Sequence, residues 1–200
     1  MKLESVCVYC GSSPGNDPGY AGAAERLGEA LASAGIRLIY GGGSIGLMGV
    51  LARAVLRHGG EVNGIIPGFL RDRELALPDV TDLTVTSDMH SRKRQMFDRA
   101  DAFVALPGGI GTLEEVVEMM TWVQLGHHRK PIILVNHEGF WEPLIRLLDH
   151  MAGTGFLRPA ADGSALFQTV TDVGEVLPAL ERAAAELPAG SEAGAPTALF

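Results

Sequence analysis

Residues 102–125 read AFVALPGGIGTLEEVVEMMTWVQL. The run Ala102–Leu106 is apolar at every position, Pro107 ends it, glycines stand at 108, 109 and 111, and a helical pattern begins at Thr112. A strand without polar alternation is one that helices cover on both faces, the situation of a parallel sheet. Loop and helix start together predict a phosphate site. Glycines allow a tight turn and close approach of backbone N–H groups. The first N–H groups of a helix lack intrahelical partners, and its dipole favours negative charge. Thr112 either caps that helix or donates its hydroxyl to the phosphate. Turn geometry alone is the competing account of the same glycines.

Apolar, β-rich runs recur at Ser5–Tyr9, Arg37–Tyr40, Glu61–Ile66, Asp82–Thr86 and Ile132–Val135, with a further short strand expected at Ala165–Gln168. Helical patterns fall between several of them, at about 19–34, 47–58, 89–99, 112–125 and 140–151, and a last helix runs from about Asp172 to Glu186. The alternation predicts βαβ units and an α/β fold: a Rossmann-like, doubly wound, mostly parallel sheet with helices on both faces. One domain accounts for residues 1–186, and Leu187–Phe200, rich in Gly, Ala, Pro and Ser, is expected to be a flexible tail.

With 200 residues, 46% apolar and 20% charged, the chain can build one sizeable core. A formal charge of −8, from 16 basic and 24 acidic side chains, argues against a broad nucleic-acid surface. No apolar run reaches the roughly 18 residues of a membrane span, and no secretory pattern precedes the first strand. A cytoplasmic protein with neither membrane nor nucleic acid as partner is the expectation. Cys7 and Cys10 form a C-x-x-C within and just past a strand, where positions three apart face opposite sides. Inert, buried thiols are expected there rather than a redox or metal pair. The six histidines include no H-E-x-x-H, and neither metal nor cofactor is expected.

The loop at 107–112 is not G-x-x-x-x-G-K-[ST], and the first βα turn, Gly11-Ser12-Ser13-Pro14-Gly15, is not G-x-G-x-x-G. A Walker-type triphosphatase and a dinucleotide oxidoreductase are therefore disfavoured. A second cluster, Gly41-Gly42-Gly43-Ser44-Ile45-Gly46, borders the same crevice at the end of the second strand, as pocket lining or as turn packing. Met89-His90-Ser91-Arg92-Lys93-Arg94 opens a helix. Arg92 suits a paired hydrogen-bond fork to phosphate or ribose, while Lys93 and Arg94 are equally readable as a charged surface. Glu114, Glu115 and Glu118 are favoured by the dipole of the helix they open. Glu115, beside the phosphate anchor, also suits holding ribose hydroxyls, positioning water, or stabilising positive charge at the anomeric carbon. An Arg–Glu pair fits N-glycosidic cleavage better than phosphoryl transfer, where a metal-binding arrangement is expected. Leu113, Val116, Val117, Met119, Met120, Trp122, Val123 and Leu125 occupy more than one face of this helix. A homodimer accounts for the excess, and complete burial within a monomer is the alternative.

In these residues, taken in order, the chain closely resembles the LOG family, the cytokinin-activating nucleoside 5'-monophosphate phosphoribohydrolases. The stretches that carry the likeness are Cys7–Ser13, Gly41–Gly43 with Gly46–Gly49, Met89–Lys93, Pro107–Glu115, Trp122–Gly126 and Lys130-Pro131, within about residues 3–180. The resemblance implies a Rossmann-like dimer that needs no cofactor. It hydrolyses an N6-substituted adenosine 5'-monophosphate to free base and ribose 5-phosphate. It implies Arg92 and Glu115 as catalytic residues, and Gly108, Gly109, Gly111 and Thr112 as phosphate-binding positions. Ser12, Gly42, Gly43, Met89 and Lys93 complete the expected substrate-binding set with Arg92 and Glu115. Hydrolysis of AMP or another nucleotide, and a non-catalytic nucleotide carrier, are the alternatives. Relatives are often labelled lysine decarboxylases. That reaction needs pyridoxal phosphate on a Schiff-base lysine, and of Lys2, Lys93 and Lys130 only Lys93 is near the expected pocket.

Overall fold

The computed structural model describes residues 2–71, 75–160 and 163–186. The segment 187–200, expected to be a tail, lies outside the described residues. The first half of the chain runs β1 (Ser5–Tyr9), α1 (Pro18–Ser33), β2 (Arg37–Tyr40), α2 (Gly46–Arg57), β3 (Val62–Pro67), α3 (Gly68–Arg71), β4 (Asp82–Thr86) and α4 (Met89–Arg99). It continues through β5 (Ala102–Ala105), α5 (Ile110–Gln124), β6 (Ile132–Val135), α6 (Glu142–Gly153), β7 (Gln168–Val170) and α7 (Val176–Glu186).

The seven strands form one sheet in the order β4-β3-β2-β1-β5-β6-β7, and every pairing is parallel. The expected doubly wound α/β fold is therefore present. The central strands β1, β5 and β6 are buried at every position, whereas edge strand β4 is exposed along much of its length. One face of the sheet is covered by α1, α2 and α7, through residues such as Leu27, Leu31, Leu51, Val55, Val176 and Leu180. The other lies under α4, α5 and α6, with Met96, Phe97, Val116, Met119, Met120 and Trp141 against β1, β5 and β6. Each such fully buried large side chain contributes about 2 kcal/mol. Cys7 faces the second layer and Cys10 the first. Both thiols are free and buried, and burial pushes their pKa values up, as inert cysteines require.

Two expectations need correction. The last strand is Gln168–Val170 rather than Ala165–Gln168, because Ile133 pairs with Gln168 and Val135 with Val170. The apolar residues Leu166 and Phe167 that suggested an earlier strand instead pack from outside the sheet onto the second layer. The helix after the glycine loop begins at Ile110 rather than Thr112, with Gly109 in the cap position. Thr112 is thus inside the first turn and is not the cap. Among the described residues no helix is long and apolar enough to cross a membrane.

Candidate active site at the strand switch point

Chain order reverses between β1 and β5, and ligands of doubly wound folds bind outside the strand C-termini at such a point. The two strands end level, Tyr9 opposite Ala105. Their following loops are tied by Leu106 N–H donating to the Tyr9 carbonyl and Gly11 N–H to the Pro107 carbonyl, both at 3.0 Å. α1 and α4 are capped by Asp17 and Asp88, but no side chain caps α5. Around Gly109 and Gly111 the space is open, with no heavy atom within 4 Å of where a side chain would begin. Gly108 is different: a Cβ there would overlap Thr112, whose side chain folds back onto the loop. Thr112 is 5% exposed. An open, uncapped helix start of this kind suits an anion.

Asp88 fixes the start of α4 by accepting hydrogen bonds from the N–H and hydroxyl of Ser91. With Ser87 these bonds hold its carboxyl down at about 2. One turn on, Arg92 is buried, with 8% of its side chain exposed. Its Nε donates to the Ile65 carbonyl at 3.0 Å, Nη1 to Glu115 Oε1 at 3.0 Å, and Nη2 more weakly to the Gly41 carbonyl at 3.5 Å. A guanidinium has five N–H donors. Among the described residues, one hydrogen on each terminal nitrogen therefore has no acceptor. Glu115, in the second turn of α5, is 8% exposed. Beneath the pair, Tyr9 stacks on Phe103; burial first, then the neighbouring Cys7, Glu115 and Glu118, push its phenol pKa up.

The fold thus brings together Arg92, Glu115 and the loop Gly108–Thr112. Ser12 lies opposite the loop, lining a cavity of about 170 Å³ with Gly108, Gly109, Tyr20, Leu47 and Phe140. Met89 is half-buried at the start of α4. Gly42 and Gly43 sit in the bend after β2, where they hold the β3–β4 connection: Gly42 accepts from Leu77 N–H and Gly43 bridges Ala76. Lys93 turns onto α5, ion-paired with Glu114 and Glu118. Burial alone would lower its pKa, but the two carboxylates carry it above the usual value. Arg94 pairs with Asp98 on the surface. Sequence reasoning missed the carbonyls of Gly41 and Ile65 and the cap at Asp88; only the cap had a signal, an Asp three residues before a serine at a helix start. A larger cavity of about 390 Å³ lies at the opposite end of the strands, where β6 and β7 begin, around Arg129–Ile132 and Ser164–Gln168, and none of these residues lines it.

Fold and site define a class: a doubly wound α/β protein with an open glycine-loop helix start and a buried Arg–Glu pair beside its switch point. Within that class the chain belongs to the LOG family, whose model, described as "Possible lysine decarboxylase", matches residues 48–180. It is 48% identical over 160 residues to the Arabidopsis thaliana cytokinin riboside 5'-monophosphate phosphoribohydrolase LOG1, covering 80% of this chain and 75% of that protein. It is also 48% identical over 157 residues to LOGL1 of Oryza sativa subsp. japonica, a probable enzyme of the same name, covering 78% of this chain and 70% of the relative. Among solved structures, the Moco carrier protein of Chlamydomonas reinhardtii superposes with a TM-score of 0.69 at 22% identity, covering 93% of this chain and 100% of the carrier. That likeness is one of fold. The structural-genomics target TM1055 gives 0.68 at 26% identity, covering 90% of this chain and 99% of the target.

Proposed function

We propose that this chain is a nucleoside 5'-monophosphate phosphoribohydrolase, cleaving the N-glycosidic bond of an N6-substituted adenosine 5'-monophosphate to free base, a cytokinin, and ribose 5-phosphate. The observation that carries this reading is the buried Arg92–Glu115 pair, at 3.0 Å, on helices whose starts frame the glycine loop. Relatives at 48% identity bearing the name of that activity support it. In the proposed pose the 5'-phosphate lies over Gly108–Thr112, and the two remaining donors of Arg92 orient phosphate or ribose. Glu115 stabilises the positive charge that develops at the anomeric carbon as the base leaves and water arrives. Ser12, Gly42, Gly43 and Met89 belong to the surrounding pocket in this reading.

The test is base release from AMP, from N6-isopentenyl AMP and from the corresponding nucleoside. Turnover of the N6-substituted monophosphate, with the nucleoside a poor substrate, is expected. Binding without base release would make the chain a carrier, and equal turnover of AMP would remove the N6 preference. Loss of turnover in E115Q and R92A is expected, and full activity in both would sink the assignment of the pair.

We further infer a homodimer, because α5 leaves Ile110 and Val117 exposed and Leu125 follows, 64% exposed, at its end. The measurement is sedimentation of the native chain against V117E, with a monomeric native chain as the contrary result. A cytoplasmic location is inferred from the two unpaired thiols, to be checked by fractionation.

A further inference from the structure

Helices α4 and α5 meet twice. Arg92 pairs with Glu115, and the next residue, Lys93, reaches the two acidic neighbours of Glu115: its Nζ lies 2.5 Å from Glu114 Oε1 and 2.9 Å from Glu118 Oε1. Only 15% of the Lys93 side chain is exposed. The second oxygen of Glu118 is buried and receives no hydrogen bond from the described residues. Positions 115 and 118 are neighbours on one helix face, with Cβ atoms about 5–6 Å apart. Three carboxylates are therefore crowded into the first turns of α5, and Lys93 compensates the two that Arg92 does not reach. A lysine that gripped a phosphate would have to leave both of them.

We propose that Lys93 is a positioning residue: it clamps α5 to α4 and offsets the charge of Glu114 and Glu118, so that Glu115 stays ionised and aligned with Arg92. This rests on the reading of Arg92 and Glu115 as the reacting pair. Without the ammonium, two uncompensated carboxylates would flank Glu115, and like charges at this range favour its protonated form. The proposal therefore assigns Lys93 an effect on kcat and on its pH dependence. A direct ligand of the substrate would act through KM.

The experiment measures kcat, KM and the pH profile of K93M, K93R, E118Q and K93M/E118Q with N6-isopentenyl AMP. K93M is expected to lose about tenfold or more in kcat while KM stays within about threefold. The acid limb of its kcat profile should move up by about one pH unit. K93R should recover most of the rate, and K93M/E118Q should return the acid limb towards its native position, because the second change removes the charge that the first exposed. A KM raised about tenfold with kcat and the acid limb unmoved would overturn the proposal and make Lys93 a substrate ligand. If K93M does not fold, E118Q decides: a downward shift of the acid limb supports the proposal, and an unmoved limb overturns it. Full turnover in E115Q is instead the failure of the Arg92–Glu115 reading itself, visible before the Lys93 series is interpreted.

Discussion

Replacing Gly41 with alanine tests whether the pose of Arg92 matters more than its presence. Gly41 does not have the left-handed backbone that would exclude alanine. A methyl group there would overlap Arg92 Nη2, touch the guanidinium carbon at 3.5 Å, and crowd Met48 Sδ at 3.1 Å. The thioether can shift at little cost. The arginine is less free, since Ile65 and Glu115 hold its other nitrogens. Restoring ordinary contact distance requires its terminal nitrogen to retreat by roughly 1 Å. A misplacement of about 1 Å costs roughly 100-fold in rate, or about 2.7 kcal/mol of transition-state stabilisation. Stability should fall by only about 1 kcal/mol: overpacking against Arg92 and Met48 costs about 1–3 kcal/mol, offset in part because alanine restricts the unfolded chain, a gain of about 0.4–1 kcal/mol. The assay is kcat/KM for base release from N6-isopentenyl AMP, beside a urea midpoint. Native kcat/KM in G41A would refute the reasoning. Matched losses of activity and stability would show Gly41 to be a packing residue and nothing more.

Removing Arg92 should be felt in the fold as well as in the rate. Either R92A or E115Q removes one member of a buried ion pair, a change that costs about 3 kcal/mol; native urea midpoints in both variants would contradict this. His128 predicts acid lability. It is 4% exposed, its Nδ1 accepts from Lys130 N–H, and its other nitrogen bonds the Met119 carbonyl, so the folded ring is neutral and burial lowers its pKa from 6.5 to about 4. Below pH 6.5 the unfolded chain gains a proton that the folded chain refuses, so stability should fall between 6.5 and about 4, by about 3 kcal/mol in total. H128Q should flatten that part of the urea-midpoint profile, and an unchanged slope would exclude His128 as its source.

Much of the fold was legible because its central strands are apolar at every position, as in β5 and β6, or at all but the first, as in β1, and its helices are not. β1, β5 and β6 could be read within a residue or so for that reason. Where an apolar run had two uses the reading failed. Leu166 and Phe167 pack outside the sheet, and the hydrogen-bond register that makes Gln168–Val170 the strand is set by β6, more than thirty residues away. At the site, Arg92 and Glu115 stood out through their positions in ordered motifs. The acceptors that orient Arg92 did not, because they are carbonyls of Gly41 and Ile65, and a carbonyl is present at every residue whatever its side chain. Gly41 was visible as one of three glycines. What distinguishes it from Gly42 and Gly43 is an arginine fifty-one positions further along the chain.

The same geometry separates two chemistries attached to this family by name. A decarboxylase working through pyridoxal phosphate needs a lysine amine that can shed its proton and form a Schiff base. Lys93 is beside the site, but Glu114 and Glu118 raise its pKa and occupy its ammonium. Burial lowers the pKa of Lys130, which is the right direction. Yet Lys130 precedes β6, at the opposite, N-terminal end of the strands, where its Nζ donates to the Phe97 carbonyl and lies over the Phe97 ring. Lys2 is exposed, near Glu4. The lysine with the suitable proton affinity is at the wrong end of the strands, and the lysine at the right end is held charged, so the residues present do not fit that cofactor. In the proposed reading the donors left on Arg92 suit an anionic substrate, and the Glu115 carboxylate suits a reacting centre that becomes positive. That is the demand of ribosyl transfer to water.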